Sequence, residues 1–380
     1  MSGTPELSTH SIDRNTFLAV ARGRGRADAV ELIRAGQLSK RLLLLAAVRR
    51  TVLERAVPRQ IVSERDAVAL MSVYDRLTRI RTRSRADWER LLLLPYLDLW
   101  ATNVLRKLYD AEETPEQPAA DLRGLGLLLA PHLPGAPTAG RPHRVRLDHA
   151  GLRLDLWIDD CGPYREVHGE PLAAPLSVPD LRAWQRELAG AWEVLVQRHR
   201  WHAEAIAAGL TTVVPLLMRP DGTGVSSAAR RAFGSVALSL PPSPVLLALA
   251  LVHEFMHAQL GALLDLVPMH GPDDGVRYPA PWRRDGRPAG ALLQGTYAHL
   301  GVVDFWRAEA AVRSGPEAAA RAAQAYAAGE YTRWRPLTLE AAGTLLASGQ
   351  LNEAGTEFTT ELARAMRSWG SGPGADRMSV

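Results

Sequence analysis

The chain has 380 residues, 47% of them hydrophobic, enough to bury the core of one large domain or two ordinary ones. A net charge of +4 with both signs interspersed speaks against nucleic-acid binding, and the single cysteine, Cys161, excludes an intrachain disulfide, a Cys-ligated zinc and an iron–sulfur cluster. The polar N-terminus lacks the basic-then-apolar order of a signal peptide, and the longest apolar runs, 42–48 and 245–252, fall far short of a bilayer span, so a soluble cytoplasmic protein with no membrane partner is expected.

Residues 28–56 and 61–81 carry apolar residues at three- and four-residue spacing and are divided by Pro58; both read as helices. A third helical stretch, 85–110, carries Trp88, Leu91, Leu92 and Leu99 and is interrupted at Pro95. Two basic runs, RGRGR at 22–26 and RIRTRSR at 79–85, read as solvated loops and helix ends rather than as a surface for an acidic partner, and no aromatic residue is interleaved with them. Residues 114–142 are rich in Pro, Ala and Gly around a short helical pattern at 122–129 and mark a loose boundary. It separates a helical N-terminal region, 1–120, suited to scaffolding or peptide docking, from a catalytic region, 121–370; a disordered tail, 371–380, follows.

Alternating residues at 144–147 and 152–158 suit a hairpin turning at 148–151. An amphipathic helix follows over 181–196, with Leu181, Trp184, Leu188, Trp192 and Leu195 on one face. Residues 211–218 and 234–240 read as strands separated by the Pro220-Asp221-Gly222 turn and a short helix; from there the chain is helical to Trp369. The fold class is therefore mainly α with a small antiparallel β-sheet, an α+β protein.

The chemistry concentrates in SPVLLALALVHEFMHAQLGALLDLVP, residues 243–268. Ser243 suits the N-cap, Pro244 the first helical position, and Pro268 closes the segment. The HExxH spacing puts His253 and His257 on one helical face, roughly 6 Å apart along the axis, where each imidazole can aim one nitrogen at a single cation. Glu254 projects beside them, within reach of a metal-bound ligand. Three ionisable groups in so apolar a helix are costly to bury, and a metal satisfies two of them at once. The companion HxxGxxH signature of zinc peptidases is missing, because Leu260 stands three positions after His257. A third ligand must come from elsewhere: His299, in the apolar segment LLQGTYAHLGVVDFW, or Asp304, Glu309 or His270. The loop YPAPWRRDGRP, 278–288, offers Arg283 and Arg287 as clamps for a carboxylate.

HEFMHAQLGALLDLVP followed by YPAPWRRDGRPAGALLQGTYAHLGVVDFWRAE resembles the HExxH-type iron- and 2-oxoglutarate-dependent peptide β-hydroxylases, the HExxH peptide-modification proteins associated with radical-SAM peptide-maturation clusters. The resemblance extends through GLTTVVPL, FGSVALSLP, PYREVHG, QLSKRLLLLAAV and TLLASGQLNEAGTEF, and so covers most of the chain. It implies an Fe(II)-, 2-oxoglutarate- and O2-dependent dioxygenase that hydroxylates a β-carbon in a ribosomally made precursor peptide, alongside a separate radical-SAM maturase. His253, His257 and His299 match the metal-binding positions, and the loop holding Arg283 and Arg287 matches the co-substrate region. Gly286 departs from the family's usual proline.

Under this reading three open iron positions take the keto acid and dioxygen, and Glu254 orients a ligand or bound water. Tyr164, Arg165 and His168 of PYREVHG are candidates for lining the substrate cleft. Two other readings start from the same residues. In a zinc metallopeptidase Glu254 is the general base that activates metal-bound water. In a non-catalytic peptide-binding subunit of a maturation complex the histidines hold a structural metal.

Overall fold

The structure, a computed structural model, describes residues 10–110, 121–133, 140–312 and 317–370. The expected tail, 371–380, and much of the boundary segment, at 114–120 and 134–139, lie outside the described residues.

The helices follow the apolar spacing and the caps. The first are α1 (Arg14–Ala21), α2 (Ala27–Thr51), α3 (Glu64–Arg83), α4 (Arg85–Leu92), α5 (Leu97–Asp110) and α6 (Gly124–Leu129). Ser63 and Ser84 accept hydrogen bonds from Asp66 N and Asp87 N and so open α3 and α4. The expected 28–56 helix ends in a π-helical turn, Val52–Ala56, and Pro95 separates α4 from α5. Then come β1 (His143–His149), β2 (Leu152–Ile158), α7 (Val178–Arg198), α8 (Arg200–Gly209), β3 (Thr212–Pro215), β4 (Ser226–Ser227) and β5 (Ser235–Leu238). The chain closes with α9 (Pro244–Leu263), α10 (Ala289–Ala311), α11 (Ala318–Ala347) and α12 (Glu353–Ser368). The protein is mainly helical with one small sheet, as its sequence pattern predicts.

The sheet order is β1-β2-β3-β5-β4. It is mixed rather than wholly antiparallel: β1 with β2 and β4 with β5 are antiparallel, whereas β2 with β3 and β3 with β5 are parallel. The physical reason is the connection. Between β2 and β3 the chain passes through α7 and α8, long enough for the crossover that parallel pairing demands. The short helix expected between β3 and β5 is instead the edge strand β4, which pairs with β5.

By its internal contacts the chain forms two units, one comprising 1–36, 193–208 and 259–380, the other 37–192 and 209–258. Each takes residues from both sides of position 120: the expected split follows the chain, whereas the units follow the packing.

The unit comprising 37–192 and 209–258 holds the sheet. Leu45, Val48, Leu70, Leu92, Trp100 and Leu125 pack with Val214 and Ala237 of the strands into one apolar cluster. Arg41 is buried inside it and donates to Leu92 O (3.1 Å) and Phe233 O (3.2 Å). Burial lowers its pKa to about 10, which still leaves it charged at neutral pH.

The other unit is built on α10, α11 and α12. Phe358 of α12 packs on Phe17 (5.5 Å between ring centroids) and Tyr297 (5.4 Å), and the Tyr297 hydroxyl donates to Gln259 Oε1 (2.9 Å). The RGRGR run closes this unit. Arg22 bonds Glu361 (2.5 Å), Arg24 forks onto both oxygens of Asp304 (2.7 and 3.0 Å), and Arg26 bonds Glu204 (2.5 Å). The run is thus a set of clasps whose outer arginines, Arg22 and Arg26, stay solvated as expected. Gly23, at φ +69°, turns the chain between the first two arginines.

Candidate metal centre

Helix α9 is the described helix long and apolar enough to cross a bilayer, although its uninterrupted apolar runs are short; 67% of its most apolar window is buried inside the protein, as in a core helix. Within residues 251–264 only His253 and His257 are not buried. They continue the stripe started by Leu246 and Ala250, at spacings of four, three and four, so the helix opens outward at its two imidazoles.

The two rings stand 5.0 Å apart between centroids and are tilted by 54°. The His253 side chain is 26% exposed, yet burial pushes its pKa down to about 4, so at neutral pH it carries the uncharged imidazole that a metal requires. Glu254 lies a hundred degrees further round the helix and is buried. Its Oε1 accepts a 2.6 Å hydrogen bond from Ser226 Oγ of β4 and lies 3.4 Å from His253 Nδ1. Burial raises the Glu254 pKa, opposed by His257 and the Ser226 hydroxyl. Two neutral-capable imidazoles one turn apart, with a fixed carboxyl beside them, fit a divalent transition-metal ion as two of its ligands.

His299 belongs to α10, in the other unit. It is buried, its ring stacks on Trp282 at 4.0 Å and meets Trp334 at 5.2 Å, and its Nδ1 is 2.8 Å from Gly295 O. Donation from Nδ1–H to that carbonyl leaves the lone pair on Nε2, the tautomer a metal ligand uses. The alternative third donors are engaged elsewhere. Asp304 is held by Arg24, His202 (3.1 Å) and Arg307 (3.0 Å); Glu309 is held by His199 and Arg198, both at 2.8 Å; His270 Nδ1 is 2.7 Å from Gly271 O at an exposed position. Among the described residues no three His, Cys, Asp or Glu side chains stand grouped at metal-holding spacing.

Arg283 and Arg287 both face Asp285, at 3.0 and 3.5 Å, on an exposed loop closed by the Tyr278–Arg287 bridge. Gly286 lies against Arg277, where a side chain would press on its Cβ at 3.0 Å. In PYREVHG, Tyr164 adopts φ +70° and starts a 3-10 turn, Arg165–His168. Arg165 Nε donates to Gly162 O (3.0 Å), and His168 Nε2 meets Ser235 Oγ (3.1 Å), which in turn meets the Tyr96 hydroxyl (3.2 Å). Ser227 Oγ donates to His168 O (2.7 Å) while its neighbour Ser226 donates to Glu254. Successive residues of a strand point to opposite faces, so the PYREVHG turn and Glu254 are reached from opposite sides of β4.

Sequence reasoning missed Ser226, Trp282 and Trp334. A serine pair in a polar loop carries no signal of its partner; Trp282, inside the arginine-rich loop, was the visible hint. No protein-family model matches the chain, and no curated protein matches it.

Proposed function

We propose that the chain is a cytoplasmic iron(II)- and 2-oxoglutarate-dependent dioxygenase that hydroxylates a β-carbon in a ribosomally made precursor peptide, with a separate radical-SAM maturase acting on the same peptide. The observation that carries it is the pair His253 and His257, the two unburied positions in an otherwise buried stretch of helix. The choice of iron and 2-oxoglutarate rests on the sequence resemblance, which covers both histidine segments and the arginine loop.

In this reading His253 and His257 hold the iron from one helical face, and His299, whose Nδ1 faces Gly295 O, is the third ligand that the resemblance implies. Bound iron, with the keto acid and dioxygen, supplies the oxidant for an unactivated C–H bond. Arg283 or Arg287 exchanges Asp285 for the distal carboxylate of 2-oxoglutarate, a fork-to-fork contact. Glu254, anchored by Ser226, orients His253.

The test is anaerobic reconstitution with iron(II), followed by addition of 2-oxoglutarate and dioxygen. The expected outcome is 2-oxoglutarate-dependent succinate formation, a mass gain of one oxygen on a co-expressed precursor peptide, and loss of bound metal in His257→Ala. Peptide cleavage with zinc and without keto acid would transfer the site to the second reading, a zinc metallopeptidase. That reading is favoured by one observation, the Glu254 carboxyl fixed beside His253 by Ser226, in the place of a general base for metal-bound water. Unchanged metal content in His257→Ala would remove both.

A further inference from the structure

The clasps around RGRGR have a consistent polarity. In each, the carboxylate is inside and the guanidinium outside. Glu361, Asp304, Glu204 and Glu309 have side chains only 8% to 13% exposed, whereas the arginines that bind them are 22% to 69% exposed. Glu361 takes Arg22 and Arg364, Asp304 takes Arg24 and Arg307, Glu204 takes Arg26 and Arg200, and Glu309 takes Arg198. Counting the exposed Asp28, which acts on Arg26, seven arginines meet five carboxylates. Seven against five leaves this band a local surplus of two positive charges within a unit whose basic and acidic residues are equal in number, and what the band turns to solvent is cationic. Tryptophans lie within it. Arg26 sits 4.6 Å and Arg24 5.8 Å from the Trp201 ring, and Arg307 sits 5.0 Å from Trp369. Trp201 remains 44% exposed. The sequence shows no aromatic among the 22–26 arginines because Trp201 and Trp369 arrive from α8 and from just after α12.

We propose that this arginine band is a docking surface for an acidic peptide segment, with Trp201 receiving an apolar side chain of the same segment. The argument is charge complementarity. Inner acids hold the guanidinium planes in place, so little side-chain freedom is lost when an outer carboxylate binds them. A carboxylate is also the group these arginines already fork onto, as at Asp304. Nucleic acid fits less well: Trp369 is buried, so this band offers a single exposed tryptophan where a strand of bases needs successive aromatic platforms. The proposal is independent of the metal centre, since every group belongs to the unit comprising 1–36, 193–208 and 259–380.

The experiment measures fluorescence anisotropy of a labelled peptide of repeating Glu-Asp-Leu-Glu on the full-length, metal-free protein. Controls are the neutral Gln-Asn-Leu-Gln peptide and an oligothymidine. Binding of the acidic peptide is expected to be the tightest of the three and to weaken with salt. The double variant Arg200→Gln with Arg364→Gln leaves Glu204 with Arg26 and Glu361 with Arg22, and is expected to bind about five-fold or more weakly with an unchanged unfolding midpoint. Should it fail to fold, Arg198→Gln, which leaves Glu309 with His199, serves instead. Equal binding of acidic and neutral peptides, wild-type affinity in the variant, or tighter binding of oligothymidine would each overturn the proposal.

Discussion

Ser226 Oγ donates a 2.6 Å hydrogen bond to Glu254 Oε1, joining a two-residue edge strand to the helix that carries both candidate metal ligands. The bond supplies a donor to a carboxyl that is 3% exposed and so largely withdrawn from water. Ser226→Ala removes the hydroxyl and leaves that oxygen only its 3.4 Å contact with His253 Nδ1. A loss of about 1–3 kcal/mol in unfolding free energy is expected, measured by urea denaturation, with metal uptake by His253 and His257 retained.

Stability should depend on pH through His168. Burial holds its pKa at about 4, below the ordinary 6.5, so the folded protein keeps the ring neutral while the unfolded chain takes up a proton. Between pH 6.5 and 4 the unfolded state binds more protons, so stability falls as pH drops through that window and is fully retained above it. His168→Gln should flatten the pH dependence by on the order of 1–3 kcal/mol across the window, read from denaturation midpoints at each pH.

Asp304 is the hub of its network, accepting from Arg24 twice, from His202 and from Arg307. These partners hold its carboxyl well below the usual carboxylate range, so it contributes stability above pH 3.8 that is lost as pH falls through the depressed value. Asp304→Asn should cost about 3–5 kcal/mol, seen as a lower unfolding midpoint. Elemental analysis of the folded variant should show metal content equal to wild type, because Asp304 is committed to arginine.

Gly295 serves His299 in two ways. Its carbonyl faces His299 Nδ1, and its missing side chain makes room for Trp282, whose ring would lie 2.5 Å from an added Cβ. Gly295→Ala is expected to push Trp282 off its 4.0 Å stack on His299 and to cost roughly 1–3 kcal/mol by overpacking. Tryptophan fluorescence should shift with the loss of the imidazole contact, while an unchanged spectrum would show the stack to be tolerant.

The amino-acid order by itself determined the local structure and the pairing of two histidines on one helical face. Apolar spacing, caps at Ser63 and Ser84 and the break at Pro95 specify helices, because those forces act between residues a few positions apart. The HExxH spacing likewise puts His253 and His257 on one face without reference to anything else in the chain. Only tertiary structure decided the rest. The mixed sheet depends on a crossover path, the anchoring of Glu254 on a serine twenty-eight residues away, and the removal of Asp304 from the list of ligands on Arg24, 280 positions earlier. The same holds for RGRGR, which reads as a solvated loop until its carboxylates arrive from α8, α10 and α12. Pairing between distant residues is set by packing geometry, and periodicity within a segment carries no record of it.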